Sequence, residues 1–194
     1  MTVSTDQVKE LRDQTGVSVI QCKKALEEAG GDHKKALVIL RKKAGAVGEK
    51  KAGRMLGAGV VQCYVHNTNE VGAMVLLSCE TDFVSKNEEF VSLAREIAMH
   101  IAASSPKYIH RDNIDVKEQD SARDVFVKEV ADKPKDMQEK IIAGKLSAYF
   151  KDMTLLEQPY IKDQERTIQN LIDEAVQKFG ERIEVSDFIR YSVR

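Results

Sequence analysis

A chain of 194 residues is long enough to bury a sizeable core in one ordinary domain with a smaller one beside it. Hydrophobic residues at 42% and charged residues at 31% fit a folded globular protein and exclude a disordered one. The net charge of −1 hides an asymmetry, because residues 1–54 hold 12 Lys+Arg against 7 Asp+Glu and leave the remainder acidic. A basic segment of this kind fits an acidic protein surface, a nucleic acid, or only a solvated face of uneven charge.

In chain order, the first 45 or so residues predict three short helices. Ser4 with Gln7 forms a capping-box signal, Val8 and Leu11 share one face, and Gly16 supplies a stop. Ser18 with Gln21 repeats the signal ahead of Ile20, Ala25, Leu26 and Ala29, and Gly30-Gly31 ends that helix. Asp32 is placed to cap a third helix carrying Ala36, Leu37, Ile39 and Leu40. Helices this short need one another, so a compact bundle is expected. Residues 44–59, rich in Gly, Ala and Lys, read as a linker with a helical stretch around Lys50 to Leu56. The boundary falls there, giving a module over 1–54 and a second unit over 55–194.

The second unit opens on a hairpin. Val61, Cys63 and Val65 share one face of its first strand, Asn67 to Glu70 are turn-like, and Val71–Cys79 is apolar enough for a central strand. Asn87 then starts a helix whose stripe of Phe90, Leu93, Ala94, Ile97, Ala98, Ile101 and Ala102 is the clearest helical periodicity in the chain. From Val116 to Phe150, Lys133-Pro134 breaks a second helical region, which predicts a projecting helical hairpin. Thr167 caps a further helix with Ile168, Leu171, Ile172, Ala175 and Val176 inward, and Gly180 ends it. Ile183, Val185, Ile189, Tyr191 and Val193 mark a last strand that joins the hairpin in a small antiparallel sheet. The class is α+β.

Motifs for bond chemistry are absent: there is no P-loop, GxSxG, GxGxxG or HExxH. His33, His66, His100 and His110 are scattered, and Cys22, Cys63 and Cys79 lack metal-ligand or nucleophile spacing, so neither a metal site nor a cofactor is expected. Free thiols, no apolar run near the roughly 20 residues of a bilayer span, and a start without a signal peptide predict a cytoplasmic chain with no membrane partner. One segment stands out. Glu80-Thr81-Asp82-Phe83-Val84 joins the buried strand to the following helix, where Phe83 either projects as a wedge on a rigid base or folds back beneath the sheet.

These residues carry a resemblance. Leu11-Arg12, Thr15-Gly16, Cys22-Lys23-Lys24-Ala25-Leu26, Gly31-Asp32, Leu40-Arg41-Lys42 and Lys50-Lys51-Ala52-Gly53-Arg54 resemble the N-terminal module of the elongation factor Ts family. Cys79-Glu80-Thr81-Asp82-Phe83-Val84 is similar to that family's signature loop, and Ile97 to Ala103 with Ser105-Pro106, and Leu155-Leu156-Glu157-Gln158-Pro159, also fit its pattern. The resemblance spans essentially the whole chain. It implies a guanine-nucleotide exchange factor rather than an enzyme, one that binds the GTPase elongation factor Tu and dislodges its magnesium ion. Carried over, the partner-binding loop is Thr81, Asp82, Phe83 and Val84, with Asp82 contacting a partner helix and Phe83 wedging between helices. The small bundle would be ubiquitin-associated-like and dock on the same partner domain, with Val19, Ile20, Lys23 and Lys51 as contacts.

Two departures from the family pattern matter. Val17-Ser18-Val19-Ile20 stand where Gly and Met are frequent, and the chain lacks most of one of the two core halves of longer members. Short members dimerise through their sheets, and Phe188 lies opposite in parity to Ile189 and Tyr191, as in a sheet occupied on both faces, so a homodimer is expected. The rival by composition is a basic RNA-binding or protein-interaction module. RNA binding calls for stacking aromatics among the lysines, and residues 1–63 contain no Phe, Tyr or Trp, so no direct nucleic-acid partner is expected.

Overall fold

The computed structural model describes residues 3–193, Glu49 and Asp136 by their backbone alone. Helices α1 (Thr5–Thr15), α2 (Val19–Glu28) and α3 (His33–Lys51) form the N-terminal bundle. Its starts follow the caps read in the sequence. Ser4 Oγ accepts from Gln7 N at 3.2 Å and Gln7 Oε1 accepts from Ser4 N at 3.0 Å, closing the capping box. Gly16 ends α1 in the left-handed region at φ 68°. Leu11, Cys22, Ala25, Leu26, Ala36 and Leu40 make a core of their own for these helices.

The glycine-rich stretch corrects the linker expectation, because α3 continues through residues 44–51. Ala44 is fully buried, and α3 packs against α8 (Ile168–Phe179). A Cβ at Gly45 or Gly48 would stand 3.4 Å from the Asp173 carboxylate of α8. Glycine costs a helix about 1 kcal/mol relative to alanine, but here its small size lets two helices approach closely. Composition pointed to a linker; packing makes a helix.

The body is built on strands β1 (Ala58–Val65), β2 (Val71–Cys79) and β5 (Ile183–Ser192), ordered β1-β2-β5 and antiparallel throughout. The apolar β2 is therefore central, as its composition predicts. Helix α4 (Asp82–Ser85) is a single turn, and α5 (Glu88–Ser104) crosses the inner sheet face, capped by Asn87 Oδ1 accepting from Glu89 N at 2.9 Å. Phe90, Ala94, Ile97, Ala98 and Ile101 of α5 are fully buried against Val75, Leu77 and Cys79 of β2. Helices α6 (Val116–Glu129) and α7 (Lys135–Met153) form the expected hairpin, turning at Pro134. A short pair, β3 (Pro159–Tyr160) and β4 (Asp163–Thr167), was not legible beforehand and leads into α8. Thr167 and Asn170 close a capping box on α8.

The last strand changes face midway. Ile183, Val185, Ile189, Tyr191 and Val193 share one parity, which in a regular strand would put them together. A bulge opposite Leu76 and Leu77 inserts Ser186, whose Oγ lies 2.7 Å from Ser78 Oγ. Ile183 and Val185 thereby face the core, while Ile189, Tyr191 and Val193 face outward with Val61, Cys63, Val65 and Met74. No element of the chain covers this outer apolar face among the described residues.

Candidate partner-binding site

Phe83 does not fold back beneath the sheet. Its ring is 85% exposed, whereas Val84 beside it is 8% exposed and belongs to the main core. The single turn of α4 produces this split by directing consecutive side chains about 100° apart. Asp82 is exposed and takes an ion pair from Lys86 at 2.7 Å, one turn on. That hydrogen bond, with the lysine's charge, holds the Asp82 carboxyl below the usual carboxylate range. So Asp82 presents a negative charge beside an apolar ring.

The base of the turn is fastened from across the chain. Glu181 accepts from Glu80 N at 3.1 Å, from Thr81 N at 3.0 Å and from the Thr81 hydroxyl at 2.5 Å. Glu80 in return accepts from Arg182 N at 2.5 Å and from the Arg54 guanidinium at 3.2 Å, and these bonds lower its carboxyl pKa, the Arg182 amide most. The Cys79 thiol donates to the Thr81 carbonyl at 3.2 Å, and burial pushes that thiol's pKa up. Glu181 and Arg182 carried no motif. A signal did exist: antiparallel pairing of Cys79 with Ile183 sets the residues after β2 beside those before β5.

The N-terminal residues divide. Val19 and Ile20, in the first turn of α2, are exposed, and Val19 lines a shallow groove with Val3, Val8, Arg12 and Lys23. Lys23 lies 3.9 Å from Glu27, a loose and solvent-exposed pair that leaves its charge available. Lys51 is elsewhere. Its ammonium donates to Gly180 O at 2.5 Å, at the C-terminal end of α8 where a cation is favoured, and its charge helps to lower the Glu80 pKa. The structure thus groups Val19, Ile20 and Lys23, and places Lys51 with the Phe83 loop.

Among the described residues, no group of three His, Cys, Asp or Glu is arranged to hold a metal ion, and no helix is long and apolar enough to cross a membrane. His100 is buried and satisfied rather than reactive. Gln158 is oriented by donating to the carbonyls of Asp152 and Ser104, which turns its oxygen toward His100 Nε2 at 2.9 Å.

The family model described as Elongation factor TS matches residues 18–194, the signature loop and both helix-hairpin arms included. The chain belongs to the elongation factor Ts family. It is 46% identical over 194 residues to elongation factor Ts of Thermodesulfovibrio yellowstonii, covering all of this chain and 97% of that protein. Elongation factor Ts of Thermotoga petrophila is 43% identical over 193 residues, with the same coverage, and that of Geobacter metallireducens is 40% identical over 195 residues, covering all of this chain and 90% of that protein. The elongation factor Ts resemblance read from separate motifs is therefore a property of the whole chain. The family makes this a translation elongation factor.

Proposed function

We propose that this chain is a guanine-nucleotide exchange factor for the GTPase elongation factor Tu and performs no bond chemistry of its own. It binds the GDP-loaded partner, dislodges the magnesium ion and lets GDP leave so that GTP can enter. The observation that carries this reading is Phe83, an exposed aromatic ring on a turn whose base is tied down by Glu181 and anchored by Val84. A ring this exposed draws little stabilisation from the monomer's core, and a rigid base is what a wedge requires. Asp82 engages a partner helix beside it, while Thr81 and Val84 set the loop's direction. Val19, Ile20 and Lys23 dock the N-terminal module, taken as residues 1–54 ahead of the core 55–194. Lys51 adds positive charge on the loop side.

The energetics are those of linkage. A factor that prefers the nucleotide-free partner weakens nucleotide binding by the same ratio that the nucleotide weakens the factor. Shifting such an equilibrium by about 10⁴ takes about 5.5 kcal/mol of differential binding. Displacing magnesium, which neutralises phosphate charge, supplies part of that locally. The working form in this reading is a cytoplasmic homodimer joined through the open sheet face, with neither nucleic acid nor membrane as a partner. Seven outward apolar residues, Tyr191 at 70% exposure among them, support it, since burial of such a face stabilises association.

The test is release of labelled GDP from elongation factor Tu in magnesium buffer, with and without this chain. Release is expected to accelerate in proportion to the amount of chain added. An unchanged rate at every concentration contradicts the exchange reading.

A further inference from the structure

The geometry points to Glu181 as a positioning residue for the Phe83 turn, an inference that rests on the exchange reading above. Glu181 lies immediately after Gly180, the left-handed stop of α8, so the chain reverses there and aims the carboxylate at the end of β2. Its three donors are the amides of Glu80 and Thr81 and the Thr81 hydroxyl, which together form the entry to α4. Thr81 occupies the N-cap position of α4 yet its side chain makes no cap bond. Its hydroxyl is spent on Glu181 instead, which trades a local bond for one that reaches 100 residues along the chain.

The reciprocal half of the arrangement fixes Glu181 itself. The next amide, Arg182 N, donates to Glu80, and the Arg182 guanidinium donates to the Arg54 carbonyl and to Glu184. Three segments therefore meet at the loop base: the stretch after α3 through Arg54, the end of β2 through Glu80 and Thr81, and the α8–β5 turn through Glu181 and Arg182. The Arg54–Glu80 ion pair, half exposed on the arginine side, contributes little by itself. Glu181 differs because it gives backbone donors a charged acceptor, the stronger kind of hydrogen bond. Without it, the 80–81 peptide has no tether on its N–H side. Val84 still holds the far end of the turn, so the consequence is a change in the direction of Phe83 rather than loss of the fold.

The experiment compares wild type, Glu181→Ala, Glu181→Gln and Thr81→Val as full chains on elongation factor Tu loaded with labelled GDP. It reads the release rate at saturation, the half-saturating concentration, the melting temperature and amide hydrogen exchange at Glu80 and Thr81. For Glu181→Ala the saturated rate is expected to fall about tenfold, the scale of one charge-assisted hydrogen bond. The half-saturating concentration stays within about threefold, the drop that a single net neutral hydrogen bond would give, while the two amides exchange faster. Glu181→Gln keeps an acceptor oxygen and recovers most of the rate, and Thr81→Val shows a smaller loss of the same kind. A Glu181→Ala chain with the wild-type saturated rate overturns the inference while leaving the exchange reading intact. So does a slowed variant whose loss follows its melting temperature and leaves the two amides protected. A wild-type chain that fails to accelerate release overturns the exchange reading, and the inference with it.

Discussion

Phe83 and Val84 are neighbours in the chain, yet the ring stands in water and the isopropyl group lies in the core. Their substitutions are expected to separate cleanly. Phe83→Ala changes folding stability by no more than about 0.5 kcal/mol, as for exposed sites generally. Val84→Ala costs about 1–3 kcal/mol through lost burial and an unfilled cavity. Urea unfolding of the two variants measures both, and equal losses would contradict the division of roles. Phe83's exposure was not legible in sequence, because an aromatic at a strand-to-helix junction fits a core position as well as a projecting one. His100, one of four scattered histidines, is fully buried against Gln158. Its burial lowers its pKa below the ordinary 6.5, with the Gln158 hydrogen bond opposing in part. The unfolded chain therefore takes up a proton near pH 6.5 that the folded chain refuses, so stability falls as pH drops below that value. Denaturant titrations from pH 7.5 to 5 should show this slope, and His100→Gln should flatten it.

Among the elements, those with local signals were legible and those set by long-range packing were not. The helix Glu88–Ser104 follows from the Asn87 cap and its apolar stripe, and β2 from an unbroken apolar run. The extension of α3 was missed because Gly45 and Gly48 oppose helix locally, and only Asp173, more than 120 positions away, explains why they are small. The bulge at Ser186 was missed because one inserted residue leaves the composition of β5 unchanged. Gly59 of β1 is another position of this kind. A Cβ there would meet the Leu77 carbonyl of β2 at 2.7 Å, a backbone atom that cannot swing aside. Gly59→Ala is expected to destabilise the chain by about 1–3 kcal/mol, the usual cost of overpacking. Thermal unfolding checks it, and an unchanged midpoint would show that β1 pairs more loosely than described.

At the scale of the whole molecule, the sheet presents one face to α5 and the other to solvent, and the outer face is apolar. This was legible as parity in β1 and as the shortness of the chain, although the bulge decided which residues of β5 belong to it. A homodimer at micromolar concentration, with twice the 21.7 kDa mass of one chain, is the expected state. Val61→Lys with Tyr191→Lys should yield a folded monomer, because charges on a buried apolar face are costly to desolvate. Sedimentation equilibrium decides, and a wild-type monomer would remove the dimer from the proposal. The exchange claim itself turns on the ring that the fold holds in water. The most direct measurement is GDP release from elongation factor Tu at saturating concentrations of wild type and Phe83→Ala, with binding of each measured in parallel. Strong acceleration by wild type and slow release with retained binding by Phe83→Ala is the predicted result. Equal acceleration by both would contradict it.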